Sequence, residues 1–148
     1  HGRTIVGQLD HLAAKLGHFS QNNGYIVCRQ PKTTAAIFDR LRADGHYWLL
    51  LDGVPITGVR DLTTGVDTAV ADGKATLPLS SSSHMITYTF ANGATATVRG
   101  SGTEPKIKWY AEMRSTDKAA SETAVAKLVE AIIAQMLQPE KNGLERRK

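Results

Sequence analysis

The order of elements from residue 24 onward predicts an α+β domain, an antiparallel sheet with helices packed on one face. Three observations carry this expectation. Met85 to Phe90 (MITYTF) and Ala94 to Arg99 (ATATVR) alternate side chains in the manner of half-buried strands, and Asn92-Gly93 between them is a strong short hairpin signal. Val125, Leu128, Val129, Ile132, Ile133 and Met136 recur at helical spacing from about 120 to 138. A short apolar run, GYIVCR at 24–29, stands directly before a second helical pattern.

Taken along the chain, Thr4 to Leu16 reads as a helix. Ile5, Leu9, Leu12 and Leu16 fall on one stripe, and Gly17 ends it. Gly24 to Arg29 is a strand. Thr33 to Ala43 is a helix with Thr33 as N-cap, Ile37, Phe38 and Leu41 as its apolar face, and Gly45 as its stop. A strand is expected over Ile56–Thr63, followed by a turn at Gly65, and Ser80 to Ser83 reads as a polar linker. After the hairpin, Ile107, Trp109, Ala111 and Met113 alternate with Lys108, Tyr110 and Glu112, which makes a third strand of the meander. Pro139 closes the last helix, and KNGLERRK forms a charged tail expected to fray. The resulting order is β-α-β-β-β-β-α. The first helix falls outside this unit.

Composition excludes several classes. The 148 residues are 41% hydrophobic and 22% charged, an ordinary globular balance, and no apolar run reaches membrane-spanning length. The single cysteine, Cys28, cannot form a disulfide within the chain. It reads as a small buried hydrophobe, and a reducing cytosol is its natural setting. The net charge of +4 permits an anionic partner without choosing between nucleic acid and a small phosphorylated molecule. The start at His1 rather than Met is read as the mark of a fragment.

The chemistry concentrates in RGSGTEPK at 99–106. Gly100 and Gly102 tolerate positive φ, so the backbone can present consecutive N–H groups as an anion-binding nest. Ser101 and Thr103 add hydroxyl donors. Arg99 can fork onto two phosphate oxygens, and Lys106 adds a point charge. Glu104 is expected to hold the loop or a neighbouring cation, and Pro105 stiffens the exit. By composition alone the stretch suits an ordinary turn as well as an anion site. It is not a Walker A loop, because a strand follows rather than a helix.

The string RGSGTEPKIKWY resembles the phosphate-binding loop of the α-D-phosphohexomutase superfamily, the phosphoglucomutases and phosphomannomutases. VRDLTTGVD at 59–67 and MITYTFANG at 85–93 place it nearest the branch of phosphoglucomutase-2-type enzymes and phosphopentomutases. Gly100 departs from the family, which usually has Pro or Thr there. The resemblance implies a TBP-like β-α-β4-α fold. It also implies a division into residues 1–23 as the end of a preceding domain with its linker, 24–139 as the C-terminal domain, and 140–148 as tail. It implies that Arg99, Ser101, Gly102, Thr103 and Lys106 bind the substrate phosphate that is not reacting, in a cytoplasmic enzyme that interconverts sugar 1-phosphates with 6-phosphates, or pentose 1- with 5-phosphates. The catalytic phosphoserine and the Mg²⁺ loop would lie in other domains, and a sugar bisphosphate would serve as intermediate and activator. The implied partners are the sugar phosphate and three further domains, with no nucleic acid and no membrane. The C-terminal domain would close over the substrate and open again.

No Asp-x-Asp-x-Asp string occurs, and the histidines show no ligand spacing, so no catalytic or metal residue is assigned to the chain itself. Ser83-His84 superficially matches the family's catalytic loop but lacks Asn-Pro after it and reads as linker. Asp61 and Asp67 read as turn formers. Two rivals remain: a basic module stacking nucleic acid on Trp109 and Tyr110, and a free-standing regulatory domain. Trp109 shares a strand face with Ile107 and Met113, which marks it as core.

Overall fold

The computed structural model describes residues 2, 4–80 and 82–145. Ser81 of the polar linker and the basic end of the tail, Arg146 to Lys148, lie outside the described residues, as do His1 and Arg3. Helix α1 (Ile5–Leu16) is capped by Thr4, whose Oγ1 accepts the Gly7 N–H at 3.1 Å, and it ends at Gly17 with φ 86°. Then come β1 (His18–Val27), α2 (Pro31–Arg42) and a 3-10 turn at Ala43–Gly45. Five strands follow: β2 (Leu50–Leu51), β3 (Val54–Asp61), β4 (Val66–Asp67), β5 (Met85–Phe90) and β6 (Ala94–Gly100). The chain finishes with β7 (Lys106–Ser115), α3 (Lys118–Ala131), a π-helical stretch (Ile132–Leu137) and α4 (Pro139–Asn142).

The strands form one antiparallel sheet in the order β1-β7-β6-β5-β3-β2, with β4 paired to β3. Stripped of its short strands this is β-α-β4-α, with the helices on one face of a curled sheet. On that face Ile86, Tyr88, Val98 and Ile107 pack with Phe38 and Leu41 of α2 and with Ile132 and Met136, all at most 1% exposed. Direct cross-strand partners share a face. The rows Gly24–Trp109–Val98–Ile86–Asp61 and Ala111–Ala96–Tyr88–Val59 therefore point toward the helices. The opposite, open face carries Tyr25, Lys108 and Arg99, and beside them Tyr110, Thr97, Thr87 and Arg60.

Several boundaries differ from the sequence reading. β1 starts at His18 rather than Gly24 and ends at Val27, so residues 18–23, expected as linker, are strand. Their sequence hides this because Phe19 is 70% exposed while Ser20 is buried. What fixes them is a ten-residue ladder to β7, from His18 opposite Ser115 to Val27 opposite Lys106. α2 begins with Pro31 at its first turn rather than being capped by Thr33; the position before it, Gln30, makes no side-chain cap. β3 covers Val54–Asp61, two residues earlier than expected, because Asp61 starts the turn instead of continuing the strand. The last helix begins at Lys118, where the Asp117 carboxylate accepts the Ala120 N–H at 3.0 Å, and it widens to π-geometry at Ile132. The tail does not fray over its described part. Leu144 is buried, Glu145 and Val27 exchange both backbone bonds at 3.1 Å, and Arg29 Nε lies 2.9 Å from Glu145 Oε1.

Gly24 is dictated by a close approach. A Cβ there would sit 2.4 Å from Cζ2 of Trp109, whose ring crosses the glycine. Gly24→Ala should destabilise the chain by about 1–3 kcal/mol through overpacking. A urea midpoint equal to that of the parent would show that the ring moves aside freely.

Candidate functional site

The β6–β7 loop, residues 101–105, is pinned at every point where it meets the sheet. The Ser101 N–H donates to the Lys106 carbonyl at 2.9 Å and the Lys106 N–H to the Glu104 carbonyl at 2.7 Å. The Cys28 N–H donates to the Pro105 carbonyl at 2.8 Å, tying the loop to the entry of α2. At its root, the Gly100 N–H donates to the His84 carbonyl at 2.9 Å. Between these pins Gly102 to Pro105 are exposed. Among the described residues the N–H groups of Gly102, Thr103 and Glu104, and the hydroxyls of Ser101 and Thr103, have no intrachain partner. Thr34, in the first turn of α2, approaches Gly100, so the positive end of that helix adjoins the loop.

The expected glycine nest is corrected. Neither Gly100 nor Gly102 takes a positive φ. Gly100 is still strand, opposite Ile107, and the loop turns without a left-handed residue. A Cβ at Gly102 would meet nothing within 4 Å, and at Gly100 nothing nearer than 3.8 Å, so sterics leave room there for larger residues. The anion-facing character of the loop rests instead on its exposed N–H and hydroxyl groups and on the cations around it.

Those cations differ in availability. Arg99 lies on the open face, opposite Lys108 on one side and Met85 on the other, and has no acidic partner among the described residues. Lys106 Nζ is 2.6 Å from Glu104 Oε1 and 4.4 Å from the centroid of the Tyr25 ring. Lys108 Nζ lies 3.5 Å from Glu104 Oε2. Glu104 therefore holds the loop by bridging two lysines. The Lys106 hydrogen bond and charge, with help from Lys108, keep its carboxyl below the usual carboxylate range. Lys108 was not picked out from the sequence, although its two-residue spacing from Lys106 already places both on one strand face.

A second group missed in the sequence braces the loop from beneath. Asp61 faces the helices and is fully buried. Its Oδ2 is 2.6 Å from Nε of Arg42 on α2 and accepts the Tyr47 hydroxyl at 3.1 Å. Its Oδ1 accepts the N–H groups of Thr63 and Thr64 at 2.8 and 3.3 Å, so it does form the turn as expected. Asp67 does likewise, accepting the Ala69 N–H at 3.0 Å. Arg42 Nη1 continues to His84 Nδ1 at 3.3 Å, and the His84 ring stacks on Phe38 with centroids 4.7 Å apart. Burial and the Arg42 charge hold the His84 imidazole below its ordinary pKa. His84, read as linker, is thus a fixed support whose carbonyl anchors Gly100. Of the two aromatics the nucleic-acid reading invoked, Trp109 is 8% exposed and faces the helices, while Tyr110 is 41% exposed on the open face.

This is an α+β domain built around a rigidly held, cation-flanked hairpin loop, and comparison with known proteins places it in a family. The family described as "Phosphoglucomutase/phosphomannomutase, C-terminal domain" matches residues 55–132, and the chain belongs to it. It is 43% identical over 148 residues to a human protein named glucose 1,6-bisphosphate synthase, covering 95% of this chain and 24% of that protein. A human phosphopentomutase is 41% identical over 149 residues, covering 96% and 24%. A probable phosphoribomutase of Schizosaccharomyces pombe (strain 972 / ATCC 24843) is 37% identical over 146 residues, covering 96% and 25%. The chain spans about a quarter of the length of these relatives.

Proposed function

We propose that this chain is the substrate phosphate-binding domain of a sugar phosphomutase, one that moves a phosphate between the 1- and 6-positions of a hexose or the 1- and 5-positions of a pentose through a phosphoserine and a bisphosphate intermediate. The observation that carries the reading is the RGSGTEPK loop, held at both ends by strands and offering N–H and hydroxyl groups that have no partner among the described residues, beside Arg99, which has none there either. Arg99, Ser101, Gly102, Thr103 and Lys106 grip the phosphate that is not reacting, with Lys108 adding charge through Glu104. Their task is positioning, which turns remote binding energy into rate. The relatives' names, a bisphosphate synthase and pentose phosphate mutases, support the substrate class.

The catalytic serine and the Mg²⁺ ligands belong to the parts of the parent enzyme outside this chain. Among the described residues no three His, Cys, Asp or Glu side chains gather as a metal site, and no helix is long and apolar enough to cross a membrane. The division into the end of a preceding domain and a C-terminal domain belongs to the same reading, with its first boundary at Gly17 rather than 23, because β1 begins at His18, and its second beyond Glu145, which pairs with Val27; a cytoplasmic setting belongs to it too. In support, no residue of α1 is buried, and Ile5, Val6 and Leu9 are 83%, 66% and 61% exposed, an apolar stripe suited to a preceding domain.

Charge-assisted hydrogen bonds contribute about 1.5–3 kcal/mol each, against an association cost of roughly 4–15 kcal/mol. The chain alone should bind glucose 1-phosphate at around millimolar affinity. An NMR titration with plain glucose as control tests this. Shifts confined to Arg99–Lys106 and seen only with the ester are the expected result; equal response to glucose, or none at tens of millimolar ester in the full-length enzyme, would overturn the reading.

A further inference from the structure

One acidic side chain stands among the cations of the loop. Lys106 Nζ is 2.6 Å from Glu104 Oε1 and Lys108 Nζ is 3.5 Å from Oε2, and neither lysine has another acidic partner among the described residues. Arg99, directly across from Lys108 on β6, has none there either. Tyr25 lies across from Lys108 on β1, and its ring covers Lys106 Nζ at 4.4 Å from the centroid. The cluster is thus three cations and one carboxylate, a net charge of +2.

The bridge orders the lysine heads more than the loop backbone. Four backbone hydrogen bonds already fix that backbone, Ser101 to Lys106, Lys106 to Glu104, Cys28 to Pro105 and Gly100 to His84. An ion pair whose side chains are 22% and 44% exposed adds little to stability. Its effect on an anion is larger. The carboxylate occupies the ammonium that a phosphate would use, and it places a negative charge in the loop whose Gly102 and Thr103 N–H groups have no partner among the described residues. An ammonium carries three donors around a point charge, so it can exchange one anionic oxygen for another without moving its stem.

We propose that Glu104 is an internal counter-anion, a stand-in for the phosphate that sets how tightly the loop holds its ligand. An arriving phosphate takes Lys106 from Glu104, and Lys108 keeps the displaced carboxylate. This rests on the loop reading above and extends it. A phosphate monoester carries close to two negative charges at neutral pH, which the cluster balances; without Glu104 the same cations would hold it harder. In a domain that closes over its ligand and opens again, a moderated grip keeps release fast.

The test is an NMR titration of this chain and of Glu104→Gln and Glu104→Asp with glucose 1-phosphate, at low and at raised salt, following the amides of 99–106 and the Glu104 carboxyl carbon. Glu104→Gln should bind the ester about three- to tenfold more tightly, the effect of removing one charge close to a dianion, and should lose affinity more steeply as salt is added. Glu104→Asp keeps the charge and should show little of that gain. In the unsubstituted chain the carboxyl carbon should shift in step with the loop amides. Equal or weaker binding by a Glu104→Gln variant with the unsubstituted chain's urea midpoint would make the carboxylate a structural support, overturning the proposal while the loop reading stands. A carboxyl carbon that stays still while the loop amides move would overturn it without any variant. Loop amides silent in every protein, the full-length enzyme included, would overturn the loop reading and this proposal with it.

Discussion

Asp61→Asn should lower the unfolding free energy of this chain by about 3–5 kcal/mol, the usual cost of removing one partner of a buried ion pair. The side chains of Asp61 and Arg42 are 0% and 12% exposed and meet at 2.6 Å. Asparagine keeps the size and can still accept the Thr63 N–H, so the substitution removes charge and little else. It leaves the Arg42 guanidinium, packed beside His84 and Phe38, with only the exposed carboxylate of Asp39, 3.5 Å from its Nη1, as counter-charge among the described residues. The same carboxyl links stability to acid. Burial pushes its pKa up, but the Arg42 hydrogen bond, the Thr63 N–H, the Arg42 charge and the Tyr47 hydroxyl outweigh burial and bring it below the ordinary value. A depressed folded-state pKa gives stability that is fully present above the unfolded value of about 3.9 and is lost as pH falls through the folded one. Urea midpoints of the two proteins should therefore differ most at neutral pH and converge below about pH 4. A gap that stays constant down to pH 2 would mean the pair is not its source.

Arg99→Gln should have the opposite profile: binding lost, folding kept. Arg99 has no partner among the described residues to forfeit, so the urea midpoint of the variant should shift by no more than surface substitutions do, within about 0.5 kcal/mol. Loss of charge-assisted contacts worth about 1.5–3 kcal/mol each should weaken glucose 1-phosphate binding by roughly 10- to 150-fold, which takes a millimolar site out of reach. Titration of the variant should leave residues 99–106 unmoved. Retained binding would remove Arg99 from the site, and loss of cooperative unfolding would make it a structural residue.

The contrast between these two arginine-centred predictions marks what the sequence makes legible. Arg99 belongs to a contiguous string, and the strands on either side, β5, β6 and β7, announce themselves by alternation, so loop and framework could be read together. The Asp61–Arg42–His84 brace could not, because its members come from three elements and nothing local marks Asp61 as more than a turn former. β1 was half missed for a related reason: its outer residues are polar or inverted in polarity, and only the ladder to β7 makes them strand. The glycines misled in the other direction. Their conformational freedom is real, but Gly100 spends it in extended pairing, and the loop is shaped by the Ser101–Lys106 bond instead. Proline was the neglected signal at α2, where Pro31 sets the first turn.

The β1 ladder has a mechanical consequence. From His18 onward each residue of the strand is stitched to β7, and β7 leads back without interruption to the loop. The sheet thus acts as a stiff lever, with α1 attached at one end and the loop at the other. Torsion between them cannot be absorbed along β1. It falls on Gly17, whose φ of 86° and approach to the Ser115 carbonyl, 3.0 Å from where a Cβ would lie, suit no other residue. The direction of α1 relative to the sheet is therefore set at Gly17, with Arg114 of β7 donating to the Leu16 carbonyl beside it.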